Sequence, residues 1–167
     1  MAGVAYVVHT KGFQEVQAFF GRKGGGGAGH GSGNIIGRYG NLEPPLLKAR
    51  ALMDRSIDRN FASSGRPKHW KPLARVTLMQ KLKAGYSLMP LIRSGARGLQ
   101  GSISSRTRNN KLAIGTSIAY GRIHQFGGFA GRNRRVFIPA RPYLVFQEED
   151  LKRIEILIAR YLAGMDS

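Results

Sequence analysis

Cysteine is absent from this 167-residue chain. That excludes a disulfide scaffold and any Cys-ligated zinc or iron–sulfur site. Acidic residues are scarce, nine against 27 Lys and Arg, and tryptophan occurs once. No apolar run approaches the roughly 18–20 residues of a membrane span, so no transmembrane segment is expected. Met1 to His9 lacks a basic leader and a full apolar stretch, so no signal peptide is expected. Catalytic patterns are missing too. His9, His30, His69 and His124 include no i, i+4 pair, the spacing that puts two imidazoles on one helix face. Glu148, Glu149 and Asp150 are adjacent, which suits a helix start, since helix neighbours in sequence do not face one another. Ser94 and Ser117 sit in no nucleophile-elbow context. Neither an enzyme nor a bound metal or cofactor is expected.

What is abundant is positive charge and glycine. The net charge is +18, and the hydrophobic fraction of 42% is ordinary for a globular chain. The length fits one domain, with or without an arm. No acid lies between Arg59 and Gln147, a stretch that holds 17 of the 27 basic residues, so it carries +17 and the rest +1. With no internal acid to pair with, these side chains are expected to face water, nucleic acid or acidic protein.

Half of residues 21–40 are glycine. Such a stretch is entropically costly to order and reads as a flexible arm. It is no phosphate loop, because no Gly-Lys-Ser/Thr opens a helix there.

Periodicity sketches the rest. Residues 3–8 are β-prone, and Phe13, Val16 and Phe20 outline a helix over 13–20. Pro44 and Pro45 suit a first turn, before a helix over Leu46 to Phe61. A second helix is expected over Ala74 to Lys83. From Ile103 to Thr116 the period changes to two, around a polar tip at Arg106 to Lys111, and Asn109-Asn110 tolerates a hairpin's positive φ. Val136 to Leu144 is a strand candidate made irregular by proline. Gln147 to Ala163 is the strongest helix, its acidic first turn complementing the dipole. The expected fold class is α+β, a small antiparallel sheet with helices on one face. The expected organisation is a strand and helix over 1–20, the arm over 21–42, an α+β domain over 43–163 and a tail over 164–167.

Several segments form a recognisable set: Trp70-Lys71-Pro72-Leu73 with Thr77 and Lys81, Leu91 to Gly95 with Ser102-Ile103, and Ala113 to Thr116. The most specific are Tyr120-Gly121-Arg122-Ile123-His124-Gln125-Phe126-Gly127-Gly128 and Ile138-Pro139-Ala140-Arg141-Pro142-Tyr143-Leu144. Together they resemble the phage virion morphogenesis family, the tail-completion or head–tail joining proteins of Mu-like and P2-like tailed phages.

The resemblance implies a non-enzymatic neck component of the virion, assembled in the host cytoplasm as a ring, expected to be a hexamer. Its partners would be neighbouring neck and tail proteins and DNA in the lumen, with no membrane and no small-molecule substrate. It marks Trp70, Tyr120, His124, Gln125, Phe126, Gly127, Pro139, Arg141 and Pro142 as structural or interaction residues. Ile123 to Gly127 is expected as a strand end plus turn, with Arg141 bridging to backbone carbonyls or a neighbouring subunit. Arg106, Arg108, Lys111, Arg132, Arg134 and Arg135 are the expected contacts to DNA or acidic partners. The rival reading is a stand-alone basic nucleic-acid-binding module, although no zinc-finger, RNA-recognition or helix-turn-helix pattern appears.

Overall fold

The computed structural model describes residues 4–8, 38, 40–93 and 98–165. The helix expected over 13–20, nearly all of the glycine-rich stretch and Ser94 lie outside them. The described chain runs β1 (Val4–Val8), α1 (Glu43–Ala62), α2 (Arg75–Lys83), β2 (Ile103–Arg108), β3 (Lys111–Thr116), α3 (Gly121–Phe126), β4 (Gly128–Ala130), β5 (Val136–Ile138) and α4 (Glu148–Leu162). It is the expected α+β class. β3 is central, with β1 and β2 antiparallel on either side, and β4 and β5 form a second, two-stranded sheet. β1 therefore joins the same sheet as the hairpin that begins at Ile103, about 95 residues later in the chain.

α1 forms where the sequence repeats apolar residues every three or four positions. Leu46, Ala49, Met53, Ile57 and Phe61 are all buried on one stripe. Its prolines fall in the first turn, where a missing N–H removes no helical bond. The stripe packs on β2 and β3, with Leu112 and Ile114 facing it. α4 lies along α1 and adds Ile154, Ile158 and Leu162 to the same core. Phe61 is fully buried and gathers two further aromatics around it. Trp70 meets it edge-on at 5.7 Å and Tyr143 packs at 5.8 Å. Burying an aromatic of this size stabilises by about 2–3 kcal/mol.

The β2–β3 turn is narrower than expected. The strands continue to Arg108 and resume at Lys111, so only Asn109 (φ 52°) and Asn110 (φ 56°) turn. Nor does the tip hang free. Asn110 accepts a hydrogen bond from Leu42 N–H (2.8 Å) and donates to Gly40 O (3.1 Å), which ties it to the start of α1.

α2 is an outlier. None of its residues is buried, and Val76, Met79 and Leu82 are at least half exposed. The Lys81 ammonium holds it to the following loop, donating to the carbonyls of Ser87, Met89 and Ile92 at 2.6–2.7 Å.

Two expectations fail nearby. Ile123 to Gly127 is not a strand end plus turn, because Gly121–Phe126 is a helical turn and a half, closed by Gly127 at φ 73°. A Cβ at Gly127 would sit 2.8 Å from Ala140 N, so the close approach and the positive φ both demand glycine. The strand expected over Val136 to Leu144 stops at Ile138. Beyond it Pro139 and Pro142 have no N–H to offer a ladder, and several of the segment's polar groups bond to side chains instead.

Candidate functional site

The family-like motif residues converge on that irregular segment. Gln125, on α3, is buried, and its side-chain amide imitates a neighbouring strand. Its Oε1 accepts from the N–H groups of Tyr143 (3.0 Å) and Leu144 (3.1 Å), and its Nε2 donates to Leu144 O (2.9 Å). Trp70 Nε1 donates to Pro142 O at 2.8 Å, and Asn60 of α1 donates to Tyr143 O at 3.2 Å. The Trp70 ring is in the core rather than on the surface.

Arg141 points the other way. Its guanidinium donates to Lys71 O and Pro72 O, each at 2.9 Å, and its own N–H donates to His124 O at 2.7 Å. The loop after Trp70, α3 and the 139–144 segment are thus tied at one point. Of the two roles expected for Arg141, the carbonyl bridge is the one its geometry displays. Pro139 is half-buried and Pro142 exposed. Phe126 and Tyr120 are exposed at 60% and 48%, so these two aromatics are available to a partner.

His124 is half-buried, with its ring edge-on to Tyr120 at 5.8 Å. It fixes the turn through its backbone carbonyl, not its imidazole. Nδ1 is buried without a hydrogen-bond partner among the described residues. Burial, with a smaller push from Arg141, holds its pKa below the usual value of 6.5. Lys81 is pushed down by burial and then by Arg93 and Arg141. These groups border a cleft of 560 Å³ with walls of Leu73, Ile92 and Tyr120. No cluster of three or more His, Asp or Glu able to hold a metal occurs among the described residues.

The expected basic contacts fall on two separate sheets. Arg106, Arg108 and Lys111 are exposed on the sheet face opposite α1, beside the small Ser104, Ala113 and Gly115. Arg108 stands directly across from Lys111, a like-charge pair that costs a few tenths of a kcal/mol. Arg132, Arg134 and Arg135 are exposed on the tight turn joining β4 to β5. That hairpin also exposes Phe129 (62%), Val136 (58%) and Phe137 (59%), with the two rings edge-on at 5.3 Å.

Contrary to the expectation from its sequence, the acid-free stretch is not wholly turned outward. Arg66 meets Glu149 of α4 at 3.3 Å and also donates to Ser56 O and Asn60 Oδ1. Arg59 lies 3.8 Å from the buried Asp150, which accepts a hydrogen bond from Ser56. Lys81 and Arg141 serve backbone carbonyls. A cation can be satisfied by acids brought from a distant helix or by peptide oxygens, and charge counted along the chain registers neither. Lys48, Arg55 and Arg153 gather beside Arg59 on the outer side of α1 and α4. Sequence reasoning missed this group, because those residues belong to the part of the chain with a net charge of only +1. The i, i+7, i+11 spacing of Lys48, Arg55 and Arg59 was the signal.

The profile of the phage virion morphogenesis family matches residues 34–163. The chain is also 40% identical over 107 residues to Mu-like prophage FluMu G protein 2 of Haemophilus influenzae, covering 64% of this chain and 68% of that protein. Mu-like prophage FluMu G protein 1 of the same organism is 31% identical over 116 residues, covering 70% and 73% respectively. No solved structure matches the chain significantly.

Proposed function

Because the chain belongs to the phage virion morphogenesis family, we propose that it is a structural tail-completion protein that closes into a ring at the joint between head and tail. The observation that carries this reading is the β4–β5 hairpin. Three large apolar side chains on two short strands are each more than half exposed. A two-stranded hairpin is marginal in water, and such a patch is what a subunit contact covers. A head-to-tail contact through this patch would give a ring if its rotation closes.

The motif residues support a scaffold role. Gln125, Trp70 and Arg141 direct their polar atoms at backbone groups of their own chain, which leaves them no reacting atom to serve. The flat basic face of Arg106, Arg108 and Lys111 suits phosphate contact with DNA passing through the lumen. Residues 43–163 would be the assembling domain, and the glycine-rich stretch an arm that reaches an adjacent subunit. The stand-alone nucleic-acid module keeps the same basic face as its support.

Particles made with and without this protein test the reading. Headless tails beside filled, tailless heads are the expected defect, and normal virions would refute it. A monomer that binds random duplex DNA with steep salt dependence, and forms no ring, would favour the rival.

A further inference from the structure

The outer groove between α1 and α4 includes Arg59, which lies 3.8 Å from Asp150. α1 places the exposed Lys48, Arg55 and Arg59 along one edge, with half-buried Leu52, which packs against the core, between them. α4 supplies Arg153 and Leu157 from the opposite edge. The groove is open, about 680 Å³, and runs roughly three helical turns, or about 16 Å. Ala51, Leu52 and Leu157 give it an apolar floor, with Arg55 and Arg153 as the rim cations offered to a partner, since Lys48 and Arg59 already have contacts within the chain. Among the described lining residues the carboxylate is Asp58, which accepts a hydrogen bond from Gln100 at 3.1 Å, and buried Asp150 lies 3.8 Å from Arg59.

We propose that this groove docks an acidic amphipathic helix of a neighbouring virion protein. Duplex DNA would satisfy the rims but has no apolar face for Leu52 and Leu157. An amphipathic helix lays its apolar stripe on such a floor, and carboxylates on its flanks meet Arg in forked, charge-assisted pairs. The dimensions agree, because three turns is the length such a stripe needs to hold four or so anchors. The inference rests on the virion role only for the source of the partner; the groove's chemistry stands apart from it.

The test uses the full chain and a labelled, acetylated and amidated peptide of about 20 residues, long enough to hold a helix, with Leu on one face and Glu on its flanks. Fluorescence anisotropy is expected to show saturable binding that weakens with salt. The peptide with Gln in place of Glu should bind at least about tenfold more weakly. The double variant Arg55→Glu, Arg153→Glu should lose at least about tenfold in affinity, whereas Arg75→Glu, Lys83→Glu on exposed α2, with the same change in net charge, should not. Circular dichroism checks that both remain folded. Equal losses in the two double variants would mean diffuse attraction to a basic protein and would overturn the proposal. So would a random duplex that displaces the peptide through Arg55 and Arg153, or a loss of self-association in the Arg55→Glu, Arg153→Glu variant. If the peptide result fails, the particle phenotype still decides the joining role; normal virions without the protein would leave the groove result intact.

Discussion

Replacing Gln125 tests whether one side chain organises the 139–144 segment. Gln125→Leu keeps the volume close to native and removes the amide. Three buried backbone groups then lose a partner, the N–H of Tyr143, the N–H of Leu144 and the carbonyl of Leu144. Each buried group left unsatisfied costs about 1–3 kcal/mol, and local relaxation brings the sum to about 4 kcal/mol. Against a typical total of about 5–15 kcal/mol, that is a large fraction. For a domain of this size the melting temperature should fall by roughly 8–16 °C. Gln125→Glu gives the sharper result. Its carboxylate still accepts both N–H groups, but its second oxygen opposes the Leu144 carbonyl. Burial and that repulsion raise the pKa of Glu at this site. Once protonated, the acid donates to Leu144 O as the amide did. A carboxyl whose folded pKa is raised is most favourable below its unfolded pKa of about 4.3, and that advantage is lost as pH rises through the folded pKa. Relative to wild type, the variant should therefore be markedly unstable at pH 8 and recover toward pH 5. Thermal unfolding followed by circular dichroism reads both variants. A Leu variant within about 1 kcal/mol of wild type, or a Glu deficit equal at both pH values, would refute the reasoning.

His124 should give the protein an acid-sensitive stability. Its lowered pKa means the unfolded chain takes up the proton first, so this contribution is flat above pH 6.5 and stability falls as pH drops below it. His124→Gln should flatten melting temperature against pH between 7 and 5, and a variant with the wild-type slope would refute this reading. Asp150→Ala removes the carboxylate that Ser56 and Arg59 share, and chemical denaturation should register a loss of about 2–3 kcal/mol. Phe129→Ser combined with Phe137→Ser should leave the melting temperature within a few degrees and abolish self-association in sedimentation velocity; an unchanged oligomer would remove the hairpin from the subunit contact.

The long periodic elements were legible in the sequence. α1, α2, the β2–β3 hairpin and α4 lie within a few residues of where apolar spacing and turn residues place them. Such elements are specified locally, by repeats that any window reveals. α3 and β4 were not legible. Gly121–Phe126 is too short for a period, and its helical state depends on Gly121 fitting against Thr116 and Tyr143, where a Cβ would approach both within 2.8 Å. The segment after Ile138 looked like a strand because it is extended and apolar. Its partner turned out to be a glutamine side chain, which no strand pattern encodes. The motif residues themselves were found through resemblance, and the structure supplies what they hold. The basic groove escaped for a different reason, since its members come from two helices far apart in sequence.

The exposed helix α2 has a kinetic consequence. Nine residues are fewer than a helix needs to persist alone in water, and none of them is anchored in the core. Its order hangs on the Lys81 clasp, and opening it exposes no buried side chain of its own. Its amide protons should therefore exchange with solvent through a local event, hours before those of α1 and α4 in the same molecule. A segment with so low an opening cost can change shape on contact with a neighbour while the core beneath it stays as it is.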